Sequence, residues 1–248
     1  MLSAKIVFSS IFIYNIRVMI TILPETTKNP ITKIGLMAGV CWNGDTTDPE
    51  KNYKRVMDCI LCEPGRTFEY PDVEMVIDGY SARCIREWYT HIAGGPTRLQ
   101  SSTRYVKWEG ENFSDNFVVP PSVEKAKADK AAFEALEDFQ KSFMTLLSTM
   151  ETAGVPKEDI AMFYPLGMKT KIVDKRNMRS LVEMSHQRLC TRAYWEYRKL
   201  MKDICDALSE YSEEWKWIVD NLMKPKCEVT GFCREKKSCG RKPKVEVK

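Results

Sequence analysis

The helical patterns in this chain are long and the strand-like ones are short, and that imbalance constrains the fold more than any other feature. Apolar residues recur at helical spacing over 121–152, where Ala126, Phe133, Leu136, Phe139 and Leu146 form a stripe, and again over 177–209. The strand-like runs are brief: 18–23, 73–77, 105–108 and 116–119, with 167–173 readable as extended. Breaks at Pro64-Gly65, Gly94-Gly95-Pro96 and Gly154-Val155-Pro156 separate these patterns. Asp48 before Pro49-Glu50 predicts a helix to about residue 62, and Ser81, Pro120-Pro121-Ser122 and Asn177 mark further helix starts. Shorter helices are expected at 31–41, 157–164 and 213–223. The fold class is α+β, with long helices against a modest sheet.

At 248 residues and 44% hydrophobic, the chain has the material for one large domain plus small appendages. No apolar run reaches the ~18 residues of a membrane span. Two histidines, far apart, exclude a His-rich metal centre within one chain, and no glycine pattern forms GxGxxG or GxxxxGK. The net charge of +4 is unevenly placed: residues 224–248 carry nine Lys/Arg against three acids, which leaves the preceding body at −2. A basic tail on a slightly acidic body reads as a solvated terminus or as a polyanion-binding arm. Nine cysteines, an odd number in mostly apolar or helical contexts, point to free thiols in a reducing, cytoplasmic compartment, and no metal site is expected. Cys59/Cys62 and the evenly spaced Cys227, Cys233 and Cys239 are read as structural thiols. Residues 1–18 are only weakly like a leader, and Met19 opens a tidier start. The expected organisation is an N-terminal extension at 1–18, a folded domain at 19–223 and a basic, cysteine-containing tail at 224–248.

Chemistry concentrates in two segments, 86–105 and 177–197, which mix guanidiniums with hydroxyls, amides and aromatics. Arg188 falls at the edge of an apolar helical stripe. A guanidinium there stays protonated and suits a planar anion or a heterocycle that gains charge, unless Glu183 or Glu196 neutralises it. Gln100, Ser102, Thr103 and Arg104 could hold a phosphate and read a base edge, or form a polar connection. His91 reads as a helix-end or core group as readily as a functional one. Trp88, Tyr89 and Trp195 read as core aromatics.

The run from Asp78 to Tyr105, DGYSARCIREWYTHIAGGPTRLQSSTRY, followed in order by the 177–197 segment, resembles the flavin-dependent thymidylate synthases. The tail from Pro225 to Arg241, PKCEVTGFCREKKSCGR, is similar to that of their clostridial and phage branch. The likeness extends over most of 36–200. The family's Arg-His-Arg motif is answered by Thr90-His91-Ile92, so both arginines are absent, and two residues are inserted before Ser102; Arg98 lies in that insertion and is a candidate to replace one charge. A family arginine that contacts the nucleotide falls on Ala161.

The resemblance implies long helices packed on a small mixed or antiparallel sheet, with residues 19–223 as the catalytic domain. It implies reductive methylation of dUMP to dTMP, with methylenetetrahydrofolate as carbon donor and FAD, reduced by NADPH, as hydride source. It makes Arg188 catalytic, stabilising negative charge on uracil without a cysteine nucleophile. It places Glu87, Gln100, Ser102, Thr103, Arg104 and Arg188 on dUMP. It places Arg66, Glu69, Thr90, His91, Ile92, Gln100, Asn177, Arg179 and Glu183 on FAD. It also implies a homotetramer with sites at subunit interfaces, and neither membrane nor nucleic acid as a partner. The lost arginines and the basic tail leave one competing expectation, a catalytically altered homologue that binds nucleotides or nucleic acid.

Overall fold

The computed structural model describes residues 19–61, 65–105 and 113–245. The extension at 1–18, Cys62 and the expected strand continuation at 106–108 lie outside the described residues. In chain order the elements are β1 (Ile20–Ile22), α1 (Pro30–Cys41), α2 (Pro49–Leu61), β2 (Asp72–Ser81), α3 (Ala82–Trp88), β3 (Thr97–Gln100), α4 (Phe113–Asn116), α5 (Pro121–Ala126), α6 (Lys130–Thr152), α7 (Lys157–Ile160), β4 (Lys169–Asn177), α8 (Met178–Arg188), α9 (Trp195–Tyr211), α10 (Glu213–Asn221) and α11 (Lys226–Thr230). Short 3-10 turns lie at Arg66–Glu69 and Ala161–Phe163.

The sheet is fully antiparallel in the order β1-β2-β4-β3. Its inner face follows the two-residue period of a half-buried strand. Val73, Met75 and Ile77 of β2 and Thr170, Ile172, Asp174 and Arg176 of β4 are buried. The outer face carries ion pairs instead, Lys171–Asp78 at 2.8 Å and Lys175–Glu74 at 2.7 Å. Helices α8, α9 and α10 cover the inner face with Leu181, Tyr197, Leu200, Ile204, Leu208, Trp215 and Ile218. A smaller apolar cluster gathers Phe117, Phe143, Leu147 and Ile160.

Four elements differ from the sequence reading. The 121–152 helix is two helices, because Asp129 leaves the helical path and accepts a hydrogen bond from the Ala132 amide at 2.9 Å, capping α6. Its buried residues are Phe143 and Leu147, while Phe133 and Phe139 of the expected stripe are exposed. The 177–209 helix also breaks, between α8 and α9, and Arg198 fills the gap by donating to the carbonyls of Thr191 (2.9 Å) and Ala193 (2.6 Å). The strand expected at 116–119 reduces to one bridge, Phe117 with Met168, after the helical turn α4. Conversely, 97–100 forms β3 because the edge of β4 offers it a pairing partner.

Candidate active site

Helix α8 sets the site out along its length. At its start the Asn177 side chain accepts a hydrogen bond from the Ser180 amide at 2.8 Å. Gly94, with φ at +77°, rests on that side chain: a Cβ there would come within 2.4 Å of Asn177 Nδ2. In the first turn Arg179 reaches Glu69 at 2.8 Å and Glu183 at 3.2 Å. Arg66 is exposed on the same 3-10 turn as Glu69. Thus Glu69, Asn177, Arg179 and Glu183, all expected on FAD, gather at one end of α8, against the glycine loop.

Arg188 closes the other end, roughly 13 Å along the helix from Arg179 at ~1.5 Å per residue. Its Nε and Nη2 both point at His91 Nε2, at 3.1 and 3.0 Å. An imidazole nitrogen that accepts from a guanidinium must be unprotonated. Burial first, then the charges of Arg188 and Arg176, push the His91 pKa down from 6.5 to about 4. The proton of the neutral ring therefore sits on Nδ1. The Arg188 guanidinium also lies over the Tyr197 ring, 4.4 Å from its centroid. Neither carboxylate proposed to neutralise it does so. Glu183 pairs with Arg179, and Glu196 accepts hydrogen bonds from the Ser81 amide (2.7 Å), the Ser81 hydroxyl (2.6 Å) and Tyr194 (3.1 Å). Cys84, close enough to feel Arg188, is buried and its thiol pKa is pushed well up, so it stays protonated.

The remaining candidates are placed by other contacts. Glu87 is half-buried on α3, and its carbonyl accepts from the Thr90 hydroxyl at 2.7 Å. Ile92 is 71% exposed. Gln100 donates to the Thr170 hydroxyl at 3.1 Å. Ser102, Thr103 and Arg104 form a turn closed by the Tyr105 amide to Ser102 carbonyl bond at 3.0 Å, with Arg104 exposed. Among the described residues they share no hydrogen bond or ion pair with Arg188. Arg98 donates to the Tyr89 carbonyl at 2.9 Å and stacks on its ring, near the altered motif.

One group was missed in the sequence. Arg176 and Asp174, both with fully buried side chains, pair at 2.6 and 2.7 Å, and Trp88 Nε1 donates to the same carboxylate at 2.8 Å. Arg176 stacks on Trp88 at 4.1 Å, and Trp88 in turn meets Tyr197 at 6.0 Å. The available signal was the alternation Ile172, Asp174, Arg176, which puts two opposite charges on the inward face of one strand.

Fold and site together define an α+β protein whose polar centre is a helix-end cation, without a carboxylate partner among the described residues, beside a neutral imidazole. The sequence matches the family described as thymidylate synthase complementing protein over residues 22–212. A flavin-dependent thymidylate synthase of Clostridium tetani is 31% identical over 88% of this chain and 92% of its own length. One of Pyrococcus furiosus is 27% identical over 86% and 88%. The chain belongs to the flavin-dependent thymidylate synthases, enzymes that convert dUMP to dTMP. The fold agrees: a Helicobacter pylori flavin-dependent thymidylate synthase solved with FAD and dUMP superposes with a TM-score of 0.61 at 18% identity, covering 79% of this chain and 96% of that one. The UMP/dUMP methylase PolB of Streptomyces cacaoi gives 0.63 at 9% identity, covering 82% and 95%. Among the described residues no helix is long and apolar enough to cross a membrane.

Proposed function

We propose that this chain carries out reductive methylation of dUMP to dTMP, and that Arg188 is the group that activates the pyrimidine. The observation that carries this reading is the state of Arg188: a fixed cation that pairs with no carboxylate among the described residues, held by a neutral acceptor and an aromatic face. Such a donor stabilises charge developing on the uracil ring, and losing one preorganised donor of this type costs ~3 kcal/mol of barrier. Family membership favours the enzyme over the altered, nucleic-acid-binding homologue.

The donor set fits FAD. Glu69, Asn177, Arg179 and Glu183 offer alternating charge and amide groups beside a glycine loop, and Thr90, His91 and Ile92 run from that loop toward Arg188. Arg66 and Gln100 complete this set. When bound, the flavin supplies the hydride after reduction by NADPH, and methylenetetrahydrofolate supplies the carbon. Glu87, Gln100, Ser102, Thr103 and Arg104 bind dUMP, with the Arg104 fork on its phosphate. The chain works as a homotetramer with sites at subunit interfaces, in a reducing cytoplasm.

The test is tritium release from [5-³H]dUMP by the purified protein. Release should require methylenetetrahydrofolate and NADPH, and the protein should show flavin absorption. A protein that takes up no added FAD and releases no tritium would refute the reading.

A further inference from the structure

Among the described residues Arg188 is held in place without a carboxylate partner, and one of the groups holding it is a residue given no role above. Tyr197 is fully buried in the first turn of α9. One side of its environment is the Arg188 guanidinium at 4.4 Å and the edge of His91 at 6.0 Å; another is Trp88, which carries the paired Arg176. The Tyr197 hydroxyl makes no well-aligned hydrogen bond among the described residues, although it is near enough to Arg188 for the guanidinium to oppose the upward push of burial on its pKa. The contact that the geometry defines is the ring face under the guanidinium.

The choice of an aromatic partner has a consequence for a cation that must act on a substrate. A carboxylate would fix the guanidinium just as well, but it would cancel the field that the pyrimidine needs. A ring face attracts a cation through its quadrupole and leaves the net charge intact. A neutral imidazole nitrogen does the same by accepting its hydrogen bonds. We propose that Tyr197 is a positioning residue whose ring, together with His91, preorganises Arg188 as an uncompensated cation. This deepens the reading of Arg188 as pyrimidine activator and rests on it.

The test uses the full-length holoenzyme with Tyr197→Leu, Tyr197→Phe and, as a stability control, Leu200→Ala on the same buried face of α9. Tyr197→Leu should lower kcat for tritium release about tenfold, equivalent to the ~1.4 kcal/mol of a desolvated cation–π contact. Its KM for dUMP and its FAD affinity should stay within about twofold of wild type. Tyr197→Phe, which keeps the ring, should recover most of the turnover. Leu200→Ala should lower the melting temperature without a matching fall in kcat. A Tyr197→Phe enzyme as slow as Tyr197→Leu, or a kcat that tracks melting temperature across all three, would overturn the proposal.

A second readout needs no turnover. In ¹⁵N-arginine-labelled protein, with Arg188→Lys identifying the resonance, the Arg188 Nε–Hε signal should be displaced by the ring current of Tyr197. Tyr197→Leu should remove that displacement. An undisplaced wild-type signal overturns the placement whatever the activity. A displaced signal in a protein that releases no tritium supports the placement and counts against the proposed reaction alone.

Discussion

A guanidinium and an imidazole from segments 97 residues apart meet at 3.0–3.1 Å, and each sets the state of the other. Burial first and then the charge of Arg188 keep His91 unprotonated, and the unprotonated ring gives Arg188 an acceptor that leaves its charge in place. Arg188→Ala should therefore retain FAD, whose proposed contacts lie mostly at the other end of α8, while tritium release falls a hundredfold or more, in line with ~3 kcal/mol of lost stabilisation. Flavin absorption and turnover measured on the same sample check both halves. The imidazole also makes a stability prediction. In the unfolded chain His91 takes a proton near its ordinary pKa of 6.5, whereas in the folded protein it resists to about 4. Between those values the unfolded state binds more protons, so stability falls as pH is lowered. His186, also depressed by burial, acts in the same direction. Urea midpoints taken from pH 7 to pH 4 should decline more steeply for wild type than for His91→Gln, which keeps His186; parallel declines would show that His91 is not held neutral. Both residues stood out in the sequence, Arg188 from its place at the edge of an apolar stripe and His91 from the family motif. Their contact did not, because periodicity within each helix is silent about which ends meet.

At the level of elements, the helix starts were the most legible features because each is written locally. Asp48 accepts from the Glu50 and Lys51 amides, Ser81 from Cys84 and Asn177 from Ser180, as the sequence led one to expect. The breaks were hidden for the opposite reason. The gap between α8 and α9 contains neither glycine nor proline and is held by Arg198 reaching back to two carbonyls. Strand β3, polar and basic, exists only because β4 has an edge to pair with. The Gly94-Gly95-Pro96 break was visible as a break, but its second purpose, seating a loop on the cap of α8, was not. Gly94 and Gly95 both have positive φ, at +77° and +61°, yet only Gly94 faces the Asn177 side chain, while a Cβ on Gly95 meets nothing within 4 Å. Alanine at either position should cost ~1 kcal/mol in backbone strain. Gly94→Ala should cost more, because it also displaces the Asn177 cap, and it should weaken FAD binding severalfold. Chemical denaturation and flavin titration of the two variants, side by side, separate strain from contact; equal losses would remove the loop from the proposed flavin site.

On the scale of the whole molecule, the antiparallel sheet and its covering helices spread the flavin and pyrimidine candidates over several elements of one chain. Helix α8 carries proposed flavin contacts at Arg179 and Glu183 and the proposed pyrimidine activator at Arg188. The turn after β3 carries the proposed phosphate contacts, Ser102, Thr103 and an exposed Arg104, which among the described residues share no hydrogen bond or ion pair with Arg188. In the proposed homotetramer, with sites at subunit interfaces, the proposed phosphate-binding turn and the proposed activating cation of one site come from different chains. Closed, symmetric assembly provides that, since whatever surface one copy offers, its neighbour offers as well. The prediction is complementation. Arg188→Ala and Arg104→Ala chains should each be nearly inactive as pure oligomers. Unfolded together and refolded as an equal mixture, they should regain about a quarter of the wild-type turnover, the fraction of sites that draw an intact Arg188 from one chain and an intact Arg104 from the other when subunits assort at random. If each site were completed within a single chain, every site in the mixture would still lack one of the two groups, and the mixed sample would be no more active than its parents.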